Sequence, residues 1–155
     1  MACCISSYMG SNFVVCFVYT FVCWMVNKEI REENKGMFTI HKRMEISAAH
    51  NLKLPYESKC ENLHGHGYII DVWLRCPDGQ LTEYGMVTDF TFIKKAIHDR
   101  LDHNYLNDIM EGINPTAENM CWWIRDELNK VIDNGECFKV RVQETEGNDA
   151  QWEKD

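Results

Sequence analysis

Two runs of strict alternation constrain what this chain can fold into. From Phe38 the even positions read Phe38, Ile40, Lys42, Met44, Ile46, Ala48 and His50; from His64 they read His64, His66, Tyr68, Ile70, Val72 and Leu74. Successive side chains of an extended chain point to opposite faces, so each run is a strand with one apolar face, interrupted in the first only at Lys42. Asp71, Trp73 and Arg75 take the other face of the second strand. That strand stops at Cys76-Pro77-Asp78-Gly79, where proline fixes φ and glycine permits a positive one. Phe138, Val140, Val142 and Glu144, alternating with Lys139, Arg141 and Gln143, predict another strand, and Ala150 to Trp152 a short last one.

The stretch between these strands changes period. Ile93, Ala96, Ile97 and Leu101 recur at helical spacing, with Thr88 or Asp89 placed to cap the first turn. Asn114-Pro115-Thr116 opens a second helix, Glu118 suits its positive end, and Met120, Trp123, Ile124, Leu128 and Val131, with Ile132 beside them, form its stripe before the stop at Asn134-Gly135. Two helices set into an antiparallel sheet predict an α+β domain with the helices on one face. So small a sheet has edges, and self-assembly is one way of covering them.

Residues 13–26 are apolar apart from Thr20 and lead into a charged run ending at Gly36. That run is shorter than the roughly 17–25 residues of a spanning helix, and residues 1–12 lack the basic region of a signal peptide. Residues 1–36 are therefore read as an N-terminal leader, with Met37 the functional start of a single domain over 37–155; an anchor segment and an added element of the fold are the alternatives. Three basic and three acidic residues cancel in the leader, so the net charge of -8 belongs to residues 37–155. A charge of that sign argues against a nucleic-acid partner. The eight cysteines include no CxxC pair, which favours reduced thiols in a cytoplasmic protein over a disulfide scaffold.

His64 and His66 lie two apart on one strand and share a face, and His50 ends the first strand on its apolar face. Three imidazoles with an open fourth position are a catalytic zinc arrangement; unrelated core or surface histidines are the alternative. Cys60, four residues before His64, is either a thiolate near that metal or an inert cysteine. Asp102 beside His103 suits proton transfer, although a helix C-terminus also favours a cation there. His41 and His98 stand alone and read as surface residues. Glu144, on an apolar face, needs a partner: a Lys or Arg, or a ligand with two parallel N–H donors such as an aminopyrimidine edge.

Six stretches in order carry a resemblance: Ile46 to His50, Cys60 to His66, Gly85 to Phe90, Leu101 to His103, Pro115 to Asn119 and Val142 to Thr145. Together they resemble the 6-pyruvoyltetrahydropterin synthase / 6-carboxytetrahydropterin synthase family across residues 37 to about 152. The resemblance implies a tunnelling fold (T-fold), in which subunits join their sheets into an oligomeric β-barrel, a trimer-based hexamer or a tetramer, with active sites between subunits. It implies Zn2+ on His50, His64 and His66, Cys60 as general base or acid, Asp102 with His103 as proton relay, and Glu144 as anchor of the pterin ring. The implied substrate is 7,8-dihydroneopterin triphosphate. The three-residue gap between Cys60 and His64, with Asp89-Phe90 after Gly85-Met86-Val87, is similar to the bacterial 6-carboxytetrahydropterin synthases. That implies a lyase of queuosine biosynthesis making 6-carboxy-5,6,7,8-tetrahydropterin, acetaldehyde and triphosphate. Pyruvoyl synthesis or side-chain cleavage on the same fold is the near alternative, and a non-catalytic zinc- or pterin-binding module the distant one. The leader matches no family motif, and Gly67 stands where a larger polar residue is frequent.

Overall fold

The structure, a computed structural model, describes residues 36–155; the apolar run at 13–26, with all of the leader but Gly36, lies outside the described residues. Four antiparallel strands, β1 (Met37–His50), β2 (His64–Pro77), β3 (Glu136–Thr145) and β4 (Asn148–Glu153), form one open sheet in the order β1-β2-β3-β4. Between β2 and β3 the chain builds α1 (residues 90–101), the short α2 (Leu106–Ile109) and α3 (Ala117–Val131).

The two alternating runs pair without interruption from Met37 opposite Pro77 to His50 opposite His64, so even residues meet even residues. Both apolar faces thus fall on one side, where Met44, Ile46, Ala48, Tyr68, Ile70, Val72, Leu74, Val140 and Val142 are buried. Lys42, the one break in the pattern, sits at the rim with its ammonium 5.5 Å from the centre of the Phe90 ring. Cation–π attraction lets a charge border the apolar face there.

Asp89 caps α1, its side chain accepting from Thr91 N–H. The helix is α over Phe90–Ile93 and Asp99–Leu101 but π over Lys94–His98, a wide turn the periodicity did not reveal. Ile93, Ile97 and Leu101, four apart, are all buried against the sheet. Thr116 caps α3, accepting from Asn119 N–H, so Pro115 lies just outside the helix rather than in its first turn. Met120, Trp123, Ile124 and Leu128 are buried as expected. Val131 is not: it is 41% exposed, because the helix ends there and the extended backbone at Ile132 turns that side chain inward instead.

β3 departs from its predicted face at one point. Cys137, not Phe138, is buried, because the register slips between Trp73 and Leu74: Trp73 pairs with Lys139 and Leu74 with Cys137. Phe138 is the extra residue of a β-bulge and packs under the Arg75 guanidinium, 4.9 Å from its ring centre. Helix α2 was also unforeseen, being one turn long; its Leu106 is fully buried. Cys60, Cys76, Cys121 and Cys137 are free thiols. Among the described residues no helix is long and apolar enough to cross a membrane.

Candidate metal centre

β1 ends and β2 begins at the same place, which puts His50 directly opposite His64, with His66 two residues further along the same face. One ligand atom from each of the three histidines lies within 4.8 Å of the other two. The rings of His50 and His66, and of His64 and His66, meet edge-on at 5.3 and 5.0 Å between centres.

Backbone carbonyls settle which nitrogens face inward. His50, fully buried, has Nδ1 2.9 Å from the Pro115 carbonyl oxygen; His64 has Nδ1 2.7 Å from that of Asn62. A carbonyl only accepts, so each Nδ1 carries the proton and each Nε2 keeps a bare lone pair. Those two Nε2 atoms are 3.1 Å apart. Two lone pairs aimed at one spot repel unless a cation lies near both, and imidazoles oriented by carbonyls are the usual surroundings of a bound metal. Burial lowers the His50 pKa, favouring the neutral ring that metal binding needs. The donor set therefore fits a divalent transition ion such as zinc.

Glu144 faces the same spot. Its Oε1 is 3.3 Å from His50 Nε2 and 3.8 Å from His66 Nε2. Among the described residues its partners are thus histidines, neither Lys nor Arg, and its side chain is 28% exposed rather than sealed in the core. Tyr68, which sequence reasoning did not single out, lies beneath the group with its hydroxyl 3.2 Å from His50 Nδ1. Burial, reinforced by the Glu144 charge, raises the pKa of that phenol and keeps it protonated. Its parity with His64 and His66 was the available signal.

The other sequence candidates are placed around this group, not in it. Cys60 lies in a single 3-10 turn, Lys59–Glu61, closed by a reciprocal cap between Ser58 and Glu61. Its carbonyl accepts the Leu52 amide at 2.8 Å, tying the turn to the chain leaving β1. Cys60 is partly exposed and is not a member of the metal-capable group.

Asp102 and His103 dock on the β1 edge. Asp102 Oδ1 accepts from Ser47 N–H at 2.9 Å, His103 N–H donates to the Ser47 carbonyl at 2.7 Å, and Ala49 N–H donates to that of Asn104 at 3.1 Å. His103 Nε2 is 3.8 Å from Asp102 Oδ2. The Ser47 amide, first among several causes, lowers the Asp102 pKa below the usual carboxylate range. His103 takes a left-handed backbone, φ 56°, and its side chain is 82% exposed. His66 and His103 both line an open hollow of about 540 Å³ floored by Ser47, Ala49, Gly65 and Gly67. His41 is not alone as expected: it bonds Asp71 at 2.8 Å and stacks on Trp73. His98 pairs with Asp99 at 3.1 Å and lies 4.0 Å from Asp102.

A family model described as 6-pyruvoyl tetrahydropterin synthase matches residues 39–155. The 6-carboxy-5,6,7,8-tetrahydropterin synthase of Synechocystis is 36% identical over 115 residues, covering 70% of this chain and 88% of that protein. The enzyme of the same name from Bacillus subtilis is 30% identical over 118 residues, covering 70% and 80%. Among solved structures, the Caenorhabditis elegans 6-pyruvoyl tetrahydropterin synthase superposes with a TM-score of 0.61 at 27% identity, covering 78% of this chain and 98% of that one.

Proposed function

Because the chain belongs to the 6-pyruvoyl tetrahydropterin synthase family and is a lyase-type enzyme of it, we propose that it converts 7,8-dihydroneopterin triphosphate to 6-carboxy-5,6,7,8-tetrahydropterin, releasing acetaldehyde and triphosphate. The observation that carries this reading is the convergence of His50, His64 and His66 on one point, two of them with Nδ1 given to a carbonyl. Those three residues would hold Zn2+, which when bound polarises the hydroxyl groups of the substrate side chain and makes the neighbouring carbon-bound protons more acidic.

The remaining roles belong to the chain's own side chains. Cys60, on a turn tied to the strand end that carries His50, is the general base or acid that moves the side-chain proton. Asp102 stands beside His103, 3.8 Å from its ring, and His103 carries protons to and from the reacting side chain. The exposure of His103 at the β1 edge supports a relay serving an active site at a seam between subunits of a β-barrel oligomer. Glu144, whose carboxylate meets His50 and His66 among the described residues, accepts two hydrogen bonds from the pterin ring. Residues 1–36 stand outside this machinery as a leader, and the enzyme works in the cytoplasm, in queuosine biosynthesis.

The names of the Synechocystis and Bacillus relatives, together with the short gap from Cys60 to His64, favour the carboxy product. The second reading, pyruvoyl synthesis, draws on the Caenorhabditis structure, which is similar at lower identity. Metal analysis of the purified protein, then incubation with dihydroneopterin triphosphate and mass spectrometry of the products, separates them. We expect one zinc per chain and acetaldehyde in step with triphosphate; a pyruvoyl product without acetaldehyde would establish the second reading.

A further inference from the structure

The chain leaving the metal centre is gripped from two sides. On one side, two asparagine side chains act as the backbone of a missing strand. Asn51 N–H donates to Asn107 Oδ1 at 3.0 Å while its carbonyl accepts from Asn107 Nδ2 at 2.8 Å. Two residues on, Lys53 N–H donates to Asn114 Oδ1 at 2.9 Å and its carbonyl accepts from Asn114 Nδ2 at 3.1 Å. An asparagine amide has one acceptor and one donor group side by side, which is what an exposed strand edge lacks. On the other side, Leu52 N–H and Asn51 Nδ2 donate to the carbonyls of Cys60 and Glu61 at 2.8 and 3.3 Å.

Asn114 also shapes the turn that meets His50. Its carbonyl accepts from Thr116 N–H and from Asn119 Nδ2, both at 2.8 Å, folding residues 114–116 tightly over Pro115. Pro115 has no N–H, and its carbonyl precedes the cap of α3, so no amide of the helix claims it. That buried carbonyl is the one bound to His50 Nδ1.

We propose that Asn114 and Asn119 are positioning residues of the metal centre: the Asn119 amide on the Asn114 main-chain carbonyl, and the Asn114 side chain on Lys53, together hold the Pro115 carbonyl that fixes the His50 tautomer and leaves Nε2 bare. Neither touches a ligand atom; both act through Pro115. The proposal rests on the metal-centre reading above and identifies what sets the affinity of that centre.

The test titrates Zn2+ into the full-length metal-free protein against a competing chelator, with Co2+ absorption as a second readout of ligand geometry and circular dichroism as a check of folding. The variants are Asn114→Ala, Asn119→Ala and Asn119→Asp. The last keeps the shape but cannot donate, and it is read in place of Asn119→Ala should that variant unfold. Asn129→Ala is the control, since Asn129 Oδ1 also clamps a backbone amide, that of Cys137 at 2.8 Å, at the far end of the sheet. Wild type and Asn129→Ala should bind one ion with equal affinity, while the Asn114 and Asn119 variants bind about 10- to 100-fold more weakly with an altered Co2+ spectrum. Folded Asn119 variants binding zinc as tightly as wild type would overturn the proposal and leave the metal centre standing. Equal weakening in Asn129→Ala would also overturn it, because general destabilisation would then account for the loss. A wild-type protein that binds no zinc would remove both readings.

Discussion

His50 gives one ring nitrogen to Pro115 and turns the other toward His64, Glu144 and the point all three face. Burying an imidazole completely is costly unless both nitrogens are used. The first is used within the chain, and the second is left for an ion. Removing the facing ligand should therefore empty the site: His64→Ala is expected to fall from one zinc per chain to none in elemental analysis after dialysis. Cys60, outside the donor group, should behave oppositely. Cys60→Ala should keep its zinc and lose turnover, and a variant that turns over at the wild-type rate would remove Cys60 from the mechanism. Glu144 separates two roles by two readouts. As a pterin anchor, Glu144→Ala should keep zinc and raise KM by the equivalent of about 1.5–3 kcal/mol, the usual worth of a hydrogen bond to a charged group; loss of zinc with KM unchanged would make it part of the metal site. The three histidines were legible in the sequence because parity alone puts them on one face, and the unbroken pairing of β1 with β2 did the rest. The carbonyls of Asn62 and Pro115 were not legible, since any residue supplies a carbonyl and only the fold says where it points.

The strands and helix stripes were readable as elements because burial is periodic, and the misses are places where the period breaks. Strict alternation points Phe138 inward, but the bulge opposite Trp73 and Leu74 gives its place to Cys137. The entry to β3 explains why this end is constrained. Gly135 has φ 138°, and a Cβ there would lie 2.5 Å from the Arg75 carbonyl oxygen. Gly135→Ala combines a disfavoured backbone with a backbone clash, so it should cost at least about 1–3 kcal/mol of unfolding free energy in denaturant titration; an unchanged midpoint would mean the strand entry can move aside. The next residue, Glu136, binds Lys154 Nζ at 2.5 Å and Arg75 at 2.8 Å, and these partners, Lys154 foremost, hold its carboxyl below its ordinary 4.5. A depressed pKa stabilises the fold at pH values above the unfolded one and ceases to do so as pH falls through the folded one. Wild type should then be more stable than Glu136→Gln at pH 7, by little because the pair is exposed, and the gap should shrink as the pH falls below 4.5 and close below the depressed folded value. A gap that persists into acid would show that charge is not its source.

Among the described residues the sheet ends in β1 and β4. The β1 edge is covered where residues 102–105 dock between Ser47 and Ala49, and β4 pairs with β3 on one side. His103 stands at the covered stretch, held in place by its own amide on Ser47 while its ring is exposed. The relay role proposed for His103, pinned by its backbone but open to solvent, suits a site completed by a second copy, in which one subunit would bring the metal and its neighbour the relay. That arrangement predicts complementation. His64→Ala lacks a metal ligand and His103→Ala lacks the relay, so each alone should be inactive. In mixed oligomers, formed by refolding the two together, seams that pair the intact metal site of one variant with the intact relay of the other make up about a quarter under random assembly through a head-to-tail interface. Activity should return to about that fraction of wild type, and dilution below the dissociation point of the oligomer, followed by sedimentation, should abolish it. If each site were built within one chain, every site in the mixture would lack either the ligand or the relay, and no activity would return however well the variants assembled.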